Sequence, residues 1–138
     1  MLDELTGERV VRVMAREFWL LGARQTEVQS LYLELESGRW CRFGIDTTRC
    51  EWRGDWRSTA PPGSAPDDDA ESRHPLVDVA AHYRIGPATI ASVTTRRFGD
   101  LAELTIEFDD TSRLVAHYRP PPGASSLAYV TRHPSDAG

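Results

Sequence analysis

The chain has 138 residues, 40% apolar and 27% charged, enough for one ordinary domain with a buried core and at odds with a wholly disordered or collagen-like protein. Sixteen basic against twenty-one acidic residues give a net charge of −5, which argues against gripping nucleic acid by bulk positive charge. Apolar runs do not exceed four residues, as at 18–21, far short of the roughly twenty needed to cross a bilayer, so no membrane contact is expected.

Met1-Leu2-Asp3-Glu4 carries acids where a secretory signal would carry a basic start, and a cytoplasmic location is expected. Val10, Val11, Met14, Phe18 and Leu21 fit a helical face between Thr6 and Gly22, which keeps an α+β alternative open. The similar stretch 89–97, rich in β-branched residues, favours a strand in both places. Leu31, Leu33 and Leu35 alternate with polar residues before Ser37-Gly38-Arg39-Trp40, the pattern of strand, tight turn and strand. The first unit is therefore expected as strands at 10–16, 30–36 and 39–46. Cys41 and Cys50 lack metal or redox spacing and read as buried or inert thiols.

Residues 58–75 contain four prolines and the run Asp67, Asp68, Asp69 and Glu71, and predict a flexible acidic loop that holds most of the net charge. Beyond it Val77, Val79, Ala81, Tyr83 and Ile85 alternate with polar or small residues, predicting another strand. A second unit follows at 89–97, 101–108 and 113–119. It echoes the first: residues 5–13 match 85–93 in an early Gly and in apolar positions three apart, Val10 and Val13 against Ile90 and Val93. Each unit then runs into Pro-Pro-Gly, at 61–63 and at 121–123. The expected fold is mainly β: two duplicated three-stranded meander units, 1–57 and 76–138, packed as a β-sandwich or partly open barrel in a single domain.

No nucleophile elbow, Walker loop, HExxH pair or dinucleotide fingerprint occurs, so no motif supports an enzyme, a cofactor or a metal site. All sixteen basic residues are Arg, a bias that reads as coding composition before it reads as sixteen selected guanidinium sites. The tetrapeptide Ala-His-Tyr-Arg occurs at 81–84 and at 116–119. On strands each copy would turn Tyr inward, and neighbouring strands would gather His82, Arg84, His117 and Arg119 into an anion-binding patch. Trp52, Arg53, Trp56 and Arg57 form a Trp- and Arg-rich segment of the kind that anchors protein interfaces, beside the acids at 67–71.

The pattern Leu5-x-Gly7-x-x-Val10 followed by an alternating hairpin resembles small bacterial β domains, a resemblance that implies no activity. The expected function is non-enzymatic binding of another protein, best represented by an immunity-type inhibitor that blocks a toxin enzyme. A small-ligand or anion-binding β domain, and an enzyme with a dispersed active site, are the alternatives.

Overall fold

A computed structural model describes residues 3–46, 49–55, 72–73, 75–83, 85–119 and 125–130. A 3-10 turn at Asp3–Leu5 leads into strands β1 (Arg9–Leu20), β2 (Ala23–Leu35), β3 (Trp40–Asp46) and β4 (Glu51–Asp55). Short strands β5 (Ser72–Arg73) and β6 (Leu76–Asp78) precede helix α1 (Val79–Tyr83). The remaining strands are β7 (Ala88–Phe98), β8 (Leu101–Phe108), β9 (Arg113–Tyr118) and β10 (Ser125–Val130). The protein is mainly β, as its alternating patterns require, and within segment 6–21 the chain is strand over Arg9–Leu20 rather than helix.

Eight strands form one antiparallel path, β10-β9-β8-β7-β1-β2-β3-β4, with β5 and β6 added to the far stretch of β1. Each half is thus a meander of four strands, one more than its alternation reveals. The sheet folds over on itself, so that β10 lies against β2 and β4 against β8, and the two apolar faces close on one core. Leu31, Leu33 and Leu35 of β2 and Phe43 of β3 meet Leu104, Ile106 and Phe108 of β8 and Leu114 of β9 in that core, all essentially inaccessible to water. Burial of this kind contributes about 1.5–3 kcal/mol per large side chain, which makes the interleaved faces the main source of stability.

The echo between the halves has a structural basis. In β1, Val10 pairs with Leu35 and Arg12 with Glu34, leaving Val11 as the extra residue of a β-bulge. In β7, Ile90 pairs with Phe108 and Ser92 with Glu107, leaving Ala91 in the same role. A bulge shifts the side-chain alternation by one, so apolar residues three apart both face the core. Val10 and Val13 are buried with Val11 exposed, and Ile90 and Val93 are buried with Ala91 exposed.

The following turns match bond for bond. Leu35 N donates to Arg39 O at 2.8 Å and Gly38 N to Leu35 O at 2.8 Å, while Phe108 N donates to Ser112 O at 2.9 Å and Thr111 N to Phe108 O at 3.0 Å. Gly38 takes φ +91° and Thr111 φ +71°, so the same left-handed position is filled by glycine in one half and by a β-branched residue in the other. Where the halves join, Arg9 pairs with Thr89, and these two are themselves equivalent positions. The molecule therefore has an approximate two-fold axis through that pair.

Three sequence expectations are corrected. The strand expected over 77–85 stops at Asp78, because the Asp78 carboxylate accepts the Ala81 amide at 3.0 Å and caps α1. Ala80 and Ala81 carry no branched carbon to oppose the helical turn, and the Ile85 amide closes it on Ala80 O at 2.8 Å. The last part of 58–75 is also not loop: Ser72 and Arg73 pair with Leu20 and Trp19, and Pro75 O accepts from Glu17 N at 2.9 Å. The rest of the expected acidic loop, with Asp67, Asp68, Asp69 and Glu71, lies outside the described residues. Trp52, expected as an anchor for a partner, is 4% exposed and packs into the core.

Candidate functional site

The two Ala-His-Tyr-Arg copies do not meet as strands. The first falls on α1, which packs beside β1, whereas the second ends β9 between β8 and β10. A helix and a non-adjacent strand cannot align two His-x-Arg rows, so the neighbouring strands on which that patch was expected are not present. The His82 side chain and Arg84 are outside the described residues. Tyr83 packs half-buried against the core and Tyr118 is 9% exposed, both turned inward as expected. His117 and Arg119 already have partners: His117 Nε2 lies 2.9 Å from Glu103 Oε2, and Arg119 Nε is 3.4 Å from Asp100 Oδ1. The hydrogen bond with His117 holds the Glu103 carboxyl below its ordinary range against the opposing effect of burial, helped by Thr105 and by the charge of Arg96.

Trp52 and Cys50 instead form a seam between the halves. Trp52 Nε1 donates to Ala102 O at 3.2 Å, Cys50 Sγ to Asp100 O at 3.2 Å and Arg97 Nη1 to Arg49 O at 3.3 Å. Cys41 and Cys50 are buried and form no disulfide with each other. Among the described residues no group of three or more His, Cys, Asp and Glu could hold a metal ion, and no helix is long and apolar enough to cross a membrane.

A different constellation emerges on the outer face of the first half. The cross-strand row Arg16, Ser30, Gly44 and Arg53 runs over β1, β2, β3 and β4, and the adjoining row places Tyr32 beside Arg42. A recess of about 330 Å³ opens here, lined by Arg42, Gly44, Ile45, Asp46, Arg53 and Gly54. Gly44 adds no side chain to this lining. The Arg42 guanidinium lies over Gly44, where a Cβ would sit 3.4 Å from Nη2, and donates to the buried Ser30 hydroxyl at 3.2 Å. Among the described residues that hydroxyl is its hydrogen-bond partner and it has no ion pair. Arg53 is held by carboxylates, its Nε 3.4 Å from Asp46 Oδ2 and its Nη2 3.1 Å from Glu51 Oε1. Arg16 stacks over the Tyr32 ring at 5.8 Å.

Of the segment expected to bind a partner, Arg53 is thus at the recess, Trp52 is beneath it in the core, and Trp56 and Arg57 are outside the described residues. Residue type alone does not single out Arg42, Ser30 and Gly44. Their signal lies in the strand register: extending the echo through both hairpins sets Ser30 against Glu103 and Gly44 against His117. Comparison with known proteins finds no matching family, no similar curated protein and no solved structure of matching fold.

Proposed function

We propose that this chain is a non-enzymatic binding domain that acts on another protein, in the manner of an immunity-type inhibitor that blocks a toxin enzyme, and that it docks through the β3–β4 face. The reading is carried by the recess at Arg42 and Arg53, an open concavity on the outside of a well-packed sheet, where among the described residues the Arg42 guanidinium bonds to the Ser30 hydroxyl. Rigid strands hold such a group in place without further ordering cost, which favours recognition. The chain continues from β4 towards Trp56, Arg57 and the acids at 67–71, so a partner seated on this face lies close in sequence to the strongest negative charge in the protein. A nucleic-acid-processing toxin enzyme presents cationic surface where phosphates bind, and four clustered carboxylates would speed encounter with it.

The test is affinity capture from the source cell by the intact protein, followed by capture with Arg42→Glu/Arg53→Glu and with Arg96→Glu. A specific protein retained by the native chain and by Arg96→Glu, but lost with Arg42→Glu/Arg53→Glu, is the expected result. Recovery of no protein, together with turnover of a small substrate by the pure chain, would replace this reading by the enzymatic one.

A further inference from the structure

The approximate two-fold axis lets one half of the molecule report on the other. Arg16 pairs with Ser30 and Ser30 with Gly44, and at the equivalent places Arg96 pairs with Glu103 and Glu103 with His117. In the second half this position is filled: the Glu103 carboxylate receives the His117 ring nitrogen at 2.9 Å and the Thr105 hydroxyl at 3.2 Å, with Arg96 beside it. In the first half both side chains are missing, since Ser30 ends at a hydroxyl and Gly44 has none. The cation is kept as Arg16, and another is added, because Arg42 stands where the second half has Val115.

We infer that the recess at Arg42 and Gly44 is a carboxylate-binding site, in which a carboxylate from outside the chain is held by a two-pronged contact from the Arg42 guanidinium with Arg53 at its rim. The inference deepens the proposed docking reading and rests on it for the identity of the biological source. A planar guanidinium fork matches a carboxylate with two parallel N–H···O bonds, and Arg42 offers those donors while its contact to Ser30 fixes its direction. Gly44 suits this geometry, because a Cβ there would touch the guanidinium at 3.4 Å and a longer side chain would compete for its place. The carboxylate can come from a free dicarboxylic acid or from an Asp or Glu side chain of a protein.

The experiment follows the arginine Nε–Hε resonances of the intact protein by NMR during titration with glutarate, and separately with a capped Gly-Glu-Gly peptide. Saturable shifts of Arg42 and of the β3 and β4 backbone amides are expected with at least one probe, and the affinity read from those amides should fall at least about tenfold in Arg42→Ala, recover partly in Arg42→Lys, and stay unchanged in Arg96→Ala in the other half. Glutarate alone identifies a free acid as the source, and the capped peptide identifies a protein side chain. Shifts that never saturate, or that persist in Arg42→Ala, overturn the inference. Partner capture is read independently of these probes, so the docking reading survives or fails by itself.

Discussion

The first four strands and the last four follow the same course, with the same bulge after the first core residue and the same turn after the second strand, yet their outer faces differ in kind. In the second half Glu103, His117, Thr105 and Arg96 satisfy one another across neighbouring strands. In the first half the matching positions are Ser30, Gly44, Tyr32 and Arg16, and the Arg42 guanidinium lies over Ser30 and Gly44. The inner faces have no such freedom. Each must present Leu, Ile, Phe or Val at the same register to close the shared core, so the correspondence between the halves is strict inside, where packing demands it, and loose outside. One outer face carries a paired acid and imidazole, and the other a recess lined by Arg42, Arg53 and Asp46.

The largest effect should come from breaking the seam where the halves meet. Trp52→Ala removes a buried indole and the bond to Ala102 O, and unfolding in urea should show a loss of roughly 3–5 kcal/mol. Trp52→Phe, which keeps most of the volume, should cost about 1–2 kcal/mol. A near-neutral Trp52→Ala would mean that β4 is not part of the core, and Trp52 would return as an anchor for a partner.

Next in size are the two turns. Thr111 holds a left-handed φ of +71° where the first half has Gly38, and Thr111→Gly should raise stability by about 1 kcal/mol. Gly38→Thr should lower it by a similar or larger amount. The β1–β2 hairpin offers the same contrast, because Leu21 is 74% exposed at φ +51° beside Gly22 at φ +79°. Both signs are those of a two-residue turn that favours Asn-Gly, so Leu21→Asn should stabilise by about 0.5–1 kcal/mol in the same urea titration.

Much of this architecture is legible in the sequence, and the illegible parts have identifiable causes. Alternation at Leu31, Leu33 and Leu35 and at Leu104, Ile106 and Phe108 marks both central hairpins, because a half-buried strand must alternate. The three-residue spacing of Val10 and Val13 looks helical until the bulge is known. Residues 77–83 alternate as a strand would, but a side chain-to-backbone bond from Asp78 turns them into a helix, and a period-two pattern cannot register such a local competitor. β4 is hard to read because Glu51, Arg53 and Asp55 surround a single inward Trp52. The recess is illegible by residue type because it consists of what is small. Only the pairing of Ser30 with Gly44, set against Glu103 with His117, exposes it.

The smallest expected effect concerns the filled face. His117 depresses the Glu103 ionisation, so this carboxylate contributes stability above the ordinary carboxylate range near about 4.3, and the contribution is lost as pH falls through its lower folded value. The pair is partly exposed, and its worth should be no more than about 1 kcal/mol. Glu103→Gln should therefore flatten the acid limb of a stability–pH curve while leaving the first-half recess unchanged.

The contrast between a filled and an open face is tested most directly by filling the open one. Ser30→Glu combined with Gly44→His places in the first half the acid and imidazole positions of the second, and its binding of glutarate and of the capped Gly-Glu-Gly peptide can be followed by titration calorimetry beside the native protein. The account predicts a folded variant that no longer binds the probe that the native chain takes. A folded variant that binds that probe as the native chain does would contradict it.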